Sequence, residues 1–281
     1  MPELPEVETI VRALRDGGRG GPSILGKHVR SADLLWERTL AEPQRPLFEA
    51  RLPGQVVLNV SRRGKFIILQ LSQDAMLIHL RMSGDLRVES GGELLPHDRM
   101  ALNFTDGSRL AFNDARKFGR VWLVEDPNLI TGELGPEPFD PNLTSEVFYR
   151  RLNFHRRQIK PLLLDQKFLA GVGNIYSDEA LHLAKIHPMQ NSNDISPEQA
   201  DCLLMAVRAV LSEGIRSHGA SIDWVYRGGD FQNTFRAYGR TGLPCPVCGT
   251  PIARLLVGQR GTHYCPQCQI LLLADETMGR K

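Results

Sequence analysis

Apolar residues at Leu4, Val7, Val11 and Leu14 recur at the spacing of one helical face, so the chain opens on an amphipathic helix. Pro2 and Pro5 suit its start and Glu6 and Glu8 the positive end of its dipole, while Gly17 and Gly18 are natural C-caps. The period then shortens. β-rich segments recur at Val56–Ser61, Phe66–Leu71, Met76–Leu80, Leu86–Val88, Met100–Phe104, Leu110–Asn113 and Val121–Val124. Turns such as Gly91-Gly92 and Asp106-Gly107 separate them, a pattern that predicts an antiparallel sandwich or barrel. Glu125 to Asn142, which contains Gly135-Pro136-Glu137-Pro138, reads as a linker.

Helical periodicity follows. An apolar run begins near Pro161, and Gly171-Val172-Gly173 leads into a helix that Asn174 can cap, with glycine N–H groups open to a phosphate. A plain interhelical turn accounts for the same residues. Ser196-Pro197-Glu198-Gln199 has the form of a capping box, opening a helix that buries Ala200, Leu203, Leu204, Val207, Val210 and Leu211. Cys202 within it reads as a buried, inert thiol. Trp224 to Gly242 has no sustained period, so it reads as a mobile loop able to close over a ligand, or as disorder without function. Ile252–Val257 and Thr262–Tyr264 predict two strands joined through Gly258-Gln259-Arg260-Gly261, with Arg260 at the hairpin tip.

With 281 residues, 42% of them hydrophobic, the chain can fill two ordinary domains. No apolar run is long enough to span a membrane and no signal-peptide pattern occurs, so a soluble cytoplasmic protein is expected. The net charge of +2 hides an asymmetry: residues 1–140 hold 18 Lys and Arg against 20 acids, leaving 16 against 12 for the rest. Five arginines lie between Trp224 and Cys268 with Asp230 as the one acid, a concentration that favours nucleic-acid phosphates.

Of the five cysteines, Cys245, Cys248, Cys265 and Cys268 form two Cys-x-x-Cys pairs enclosing 16 residues, the spacing of a four-thiolate zinc site. Four thiolates saturate a tetrahedral ion, so the zinc is structural; a redox dithiol is the alternative reading. Arg62-Arg63-Gly64-Lys65 places Lys65 near a hairpin tip, and Met82 follows a strand ending His79-Leu80-Arg81. Solvated charge and core filling are the plain accounts of these two. Asn113 to Gly119 sets Phe118 among Arg116 and Lys117 between two strands, where an aromatic has no evident core to enter and can wedge between bases. Removal of Met1 would leave the secondary amine of Pro2 as a nucleophile beside the carboxyl of Glu3, although stiffening of a helix start explains Pro2 equally.

These motifs resemble, in collinear order along nearly the whole chain, the bacterial formamidopyrimidine-DNA glycosylases: Pro2-Glu-Leu-Pro-Glu-Val-Glu-Thr9, the Arg-Arg-Gly-Lys65 turn, His79-Leu-Arg-Met82-Ser-Gly, Asn113-Asp-Ala-Arg116-Lys-Phe118-Gly, Leu134-Gly-Pro-Glu-Pro, Gly171-Val-Gly-Asn174-Ile-Tyr and the ribbon with Gln259-Arg260. The resemblance implies a multidomain α+β fold: an antiparallel β-sandwich with a flanking helix (2–135), a linker (136–148), a helix-two-turns-helix DNA-binding module (149–223), a lesion-covering loop (224–242), a zinc ribbon (243–269) and a tail (270–281). It implies a monomer with one structural zinc, binding damaged duplex DNA in a cleft between domains. The implied activity is excision of oxidised purines such as 8-oxoguanine and formamidopyrimidines, followed by β,δ-elimination at the abasic site. Pro2 is then the Schiff-base nucleophile and Glu3 the proton donor. Lys65 meets phosphate and assists elimination, and Arg260 clamps phosphates around the lesion. Met82, Arg116 and Phe118 fill the gap left by the everted nucleotide. His97, Arg156, Lys160 and Asn174 contact the DNA backbone, and Tyr238 belongs to the loop over the lesion.

Two rival readings differ in substrate or in chemistry. An endonuclease VIII-like enzyme would remove oxidised pyrimidines with the same proline, though Leu4 favours the purine branch, and a zinc-ribbon protein could recognise damage without catalysis. Arg19-Gly-Gly-Pro22 and the stretch beyond Ile270 depart from the family pattern.

Overall fold

Helix α1 spans Leu4–Asp16 in the computed structural model of the chain, which describes residues 1–222 and 228–271. Trp224, Arg227 and the tail from Leu272 lie outside the described residues. The chain divides into two units, Met1–Glu133 with Gly214–Gln232, and Leu134–Glu213 with the residues from Asn233 onward. Residues 214–222, assigned on sequence to the helical module, thus count with the first unit.

In the first unit α1 buries Leu4, Val7, Ile10, Val11 and Leu14 and ends at Gly17, whose φ of 86° suits a residue without Cβ. Then come β1 (Val29–Leu34), β2 (Leu40–Glu42), α2 (Arg45–Arg51), β3 (Val57–Arg63), β4 (Phe66–Leu71), β5 (Ala75–His79), β6 (Gly84–Ser90), β7 (Asp98–Phe104), β8 (Ser108–Asp114), β9 (Arg120–Val124) and α3 (Asn128–Thr131). All seven expected strands form. Four of these elements were not expected: β1, β2, α2 and α3 are too short or too polar to show a period, and β2 is a three-residue strand lying parallel to β9. The strands make a four-stranded sheet, β1-β7-β8-β6, and a five-stranded sheet, β2-β9-β5-β4-β3. Alternation along β4 explains how the sheets stack. Ile67, Leu69 and Leu71 enter a core shared by α1 and both sheets, whereas Ile68 joins Ala75, Leu77 and Val124 on the opposite face.

In the second unit α4 (Ser145–Phe154) starts inside the expected linker, capped by the Thr144 hydroxyl, which accepts from the Val147 amide at 3.3 Å. Helices α5 (Ile159–Leu164), α6 (Asn174–Leu183) and α7 (Pro197–Arg216) follow, then the ribbon strands β10 (Ala253–Val257) and β11 (Arg260–Tyr264). The capping box of α7 is present: the Ser196 amide donates to Gln199 Oε1 at 3.0 Å, and the Gln199 amide donates to Ser196 Oγ at 3.2 Å. Its apolar face is buried as expected, but Cys202 is exposed, because it lies on the outer face with Met205. Residues 228–242 are more ordered than their composition suggests. Phe231 and Ala237 are buried, and Phe231–Thr234 form a 3₁₀ turn. No helix among the described residues is long and apolar enough to cross a membrane.

Candidate functional site

The first unit gathers one set of expected residues around the α1 N-terminus and two strand connections. Pro2 is buried behind Met1, which acylates its nitrogen, so only loss of Met1 frees that atom. Glu3 is the N-cap of α1: its side chain accepts the Glu6 amide, and Glu6 Oε2 accepts the Glu3 amide at 2.8 Å. Glu6 Oε1 accepts the Ala220 amide, also at 2.8 Å. Glu6 was read only as a favourable charge at the helix start; the signal for more was its spacing of three from Glu3.

The turn after β3 is tight, with Arg63 paired to Phe66 and only Gly64 and Lys65 between strands. Lys65 is 5% exposed, so the plain account of a solvated charge does not hold. Across the β4–β5 pair lies His79, set edge-on to Phe66 at 4.8 Å. Burial first, and then the charges of Arg81 and Lys65, push its pKa down to about 3, so the ring is neutral near pH 7. Nδ1 accepts the Arg81 amide at 3.0 Å, which puts the ring proton on Nε2. A neutral donor beside Lys65 was not singled out from sequence.

Met82, Arg116 and Phe118 sit on two loops that Asp114 ties together. Its buried carboxylate accepts the Ser83 hydroxyl, the Gly119 amide at 2.7 Å and the Arg116 amide at 3.2 Å. Gly119 is obligatory here, since a Cβ would lie 2.2 Å from the Phe112 ring. Phe118 is 51% exposed with the Arg116 guanidinium 5.1 Å above its ring, and Met82 is half-buried. His97 joins this edge. It is exposed, its carbonyl accepts the Asp114 amide at 2.9 Å, and Nδ1 lies 3.2 Å from Arg99.

The second unit presents Arg260 and the ribbon. The hairpin turns through Gly258 and Gln259, with φ of 53° and 63°, and Val257 pairs with Arg260. Arg260 therefore opens β11 instead of sitting at the tip, because two left-handed residues complete a turn of this type. It remains exposed. The strand behind it is held by buried polar groups: Lys160 donates to Asp178 at 2.5 Å and to the Gly261 carbonyl at 3.2 Å. Asp178 also accepts the His263 amide at 2.9 Å. Lys160 is 0% exposed, so its expected contact with DNA gives way to this internal role.

Asn174 is the first helical residue of α6 and not its cap, which is Gly173. Its amide donates to the Gly261 carbonyl at 3.1 Å, while its buried Oδ1 has no hydrogen-bond partner among the described residues. Nor is the glycine turn before it fully open, because the Gly171 amide donates to Gln166 Oε1 at 2.9 Å. Arg156 is exposed. Tyr238 is anchored: the amides of Arg236, Ala237 and Tyr238 all donate to the Glu179 carboxylate at 2.8–2.9 Å. Burial pushes the Glu179 pKa up, against the pull of those three amides.

The four cysteine sulfurs lie within 4.8 Å of one another, with Cys245 to Cys268 at 4.0 Å and Cys248 to Cys265 at 3.4 Å. A zinc tetrahedron with Zn–S near 2.3 Å has edges of about 3.8 Å, so the set fits that ion. His182 Nε2 lies 3.3 Å from Cys245 Sγ, and the Cys268 amide donates to Cys265 Sγ at 3.4 Å, outer contacts that orient thiolate ligands.

Three family models cover most of the chain: the formamidopyrimidine-DNA glycosylase N-terminal domain at residues 1–121, its H2TH domain at 134–225, and the zinc finger found in FPG and IleRS at 242–270. The formamidopyrimidine-DNA glycosylase of Enterococcus faecalis is 41% identical over 280 residues, covering 96% of this chain and 98% of its own. That of Protochlamydia amoebophila is 42% identical, covering 96% and 99%. Among solved structures, MutM bound to DNA containing carbocyclic 8-oxo-G is 34% identical with a TM-score of 0.87, over 96% of this chain and all of that one. Lactococcus lactis Fpg with N7-benzyl-Fapy-dG DNA gives 34% and 0.88 with the same coverage. With near-complete coverage on both sides, the chain belongs to the formamidopyrimidine-DNA glycosylase family.

Proposed function

We propose that this chain is a base-excision DNA glycosylase and abasic-site lyase that removes oxidised purines from duplex DNA, using the amine of Pro2 as its nucleophile. The observation that carries the reading is the pairing of Pro2 with a rigid helix start, Glu3 and Glu6 being locked in a reciprocal cap directly after it. A nucleophile fixed at the first residue of a capped helix loses little freedom on attack. Relatives crystallised with 8-oxo-G and Fapy-dG DNA support purine lesions as substrates.

The lesion nucleotide must leave the stack, at a cost of a few kcal/mol, and Met82, Arg116 and Phe118 offset that loss by filling its place. The Pro2 amine forms a bond to C1′ as the base departs with its electron pair and takes up the proton that the amine loses; the C1′–O4′ bond then breaks as the nitrogen lone pair closes onto C1′, and Glu3 delivers a proton to O4′. The resulting iminium acidifies the C2′ hydrogen. Loss of that proton expels the 3′ phosphate, and a second elimination expels the 5′ phosphate. Lys65, beside the neutral His79, assists elimination and meets phosphate. Arg260 and Arg156 supply further phosphate affinity, which falls with salt. The zinc, when bound, holds the ribbon that carries Arg260. We place the work in the monomer, in the sandwich at 2–135, the module at 149–223 and the ribbon at 243–269. A cytoplasmic location suits a four-thiolate site, which needs a reducing compartment.

Borohydride added with a duplex carrying 8-oxoguanine opposite cytosine should trap the protein covalently, and Pro2→Gly should abolish the adduct. Salt-sensitive binding with no adduct, or mass spectrometry showing Met1 retained in active protein, overturns the reading. A stronger adduct with an oxidised-pyrimidine duplex would move the enzyme to the endonuclease VIII-like branch.

A further inference from the structure

We infer that Trp36 and Lys117 form a brace that holds the Arg116–Phe118 loop in its DNA-inserting shape before DNA arrives, making both positioning residues for base eversion. The inference rests on the reading above.

Lys117 lies between the two residues that insert, yet it points elsewhere: its ammonium sits 4.0 Å from the centre of the Trp36 ring. At that distance an exposed cation over an indole is a favourable contact. The contact also has a backbone consequence. Lys117 has φ of 63°, a conformation that a residue with a Cβ adopts only when its surroundings hold it there. That left-handed step turns the chain so that Arg116 and Phe118, on either side of Lys117, meet each other at 5.1 Å.

Trp36 is itself fixed. Its amide and that of Leu35 donate to the Arg99 carbonyl at 3.1 and 2.9 Å, and Arg99 Nε donates to the Asp114 carbonyl at 2.7 Å. The loop is thus held at its base by Asp114 and at its middle by Trp36, and both anchors lead through Arg99. An ordered loop need not be ordered on binding, so the brace acts on affinity for DNA that must be opened, not on bond breaking.

Lys117→Gln removes the cation from an exposed position, Lys117→Arg keeps it, and Trp36→Leu removes the ring. Steady-state cleavage of the 8-oxoguanine duplex should show KM raised about 5-fold in Lys117→Gln and in Trp36→Leu, with kcat within about 2-fold of wild type. Lys117→Arg should restore KM, and the double variant should be no worse than either single one. Single-stranded DNA with a preformed abasic site has no stack to open, so all variants should cut it at the wild-type rate. An unchanged KM in Lys117→Gln, a Lys117→Arg as impaired as Lys117→Gln, or additive losses in the double variant overturn the brace. Wild-type protein that fails to cut the single-stranded abasic substrate overturns the lyase reading instead.

Discussion

Glu6 and Ala220, 214 residues apart in sequence, meet through a 2.8 Å hydrogen bond from the Ala220 amide to the Glu6 carboxylate. The other oxygen of that carboxylate holds the Glu3 amide, so one buried side chain fixes both the start of α1 and a distant turn of the same unit. Glu6→Ala orphans two buried amides, each costing about 1–3 kcal/mol, and should lower the stability of the first unit by about 2–6 kcal/mol in urea denaturation. Gly219→Ala tests the same turn from the other side. Its Cβ would fall 2.7 Å from Glu6 Oε1 at a φ of 85°, so it too should destabilise. Neutral behaviour of both variants would sink this account of the helix start.

His79 gives a pH signature. Its unfolded pKa lies near 6.5 and its folded pKa near 3, so between those values the unfolded chain holds a proton that the folded chain does not. Stability should therefore be highest above pH 6.5 and fall by up to about 1.4 kcal/mol for each unit of pH between 6.5 and 3, from this group alone. His79→Gln cannot titrate. The difference between wild type and variant, followed by denaturant titration at several pH values, should shrink along that window; a constant difference contradicts the buried neutral ring.

The ribbon should depend on its metal. Elemental analysis should find one zinc per chain, lost in Cys265→Ser. Since structural zinc supplies on the order of 10 kcal/mol to such modules, the variant should lose the β10–β11 hairpin and with it the phosphate affinity of Arg260. Full DNA affinity in a zinc-free variant would show that the ribbon arginine contributes nothing.

What could be read from the sequence was set by how local the causes are. The seven strands, the α7 capping box and the zinc cysteines follow from alternation, turn residues and spacing, all within a few positions of one another. The exposure of Cys202 follows from its place on the outer face of α7, whereas the burial of Lys160 is decided by distant partners, Asp178 and Gly261, and no pattern near residue 160 announces them. Trp36 was missed for the same reason, since its partner Lys117 belongs to another loop. The role of Glu6 is local by contrast, because a capping box shows in the spacing of Glu3 and Glu6 alone.

Asp114 joins the two loops that carry Met82 and the Arg116–Phe118 pair, alongside a direct bond of 3.2 Å from the Arg116 amide to the Ser83 hydroxyl. Its carboxylate takes the Ser83 hydroxyl from one loop and the Arg116 and Gly119 amides from the other. Asp114→Ala would leave the Ser83 hydroxyl and the Gly119 amide without their acceptor in a buried site, at about 2–4 kcal/mol, and would leave the loops joined by the weaker Arg116–Ser83 bond. If Met82 and Phe118 insert together, the cost should appear when the base is everted. Fluorescence of 2-aminopurine placed beside the lesion should rise more slowly in Asp114→Ala than in wild type, while cutting of a single-stranded abasic substrate stays near normal. Asp114→Asn keeps one acceptor oxygen and should fall between the two. An eversion rate equal to wild type in Asp114→Ala would mean that the two loops enter DNA independently of each other.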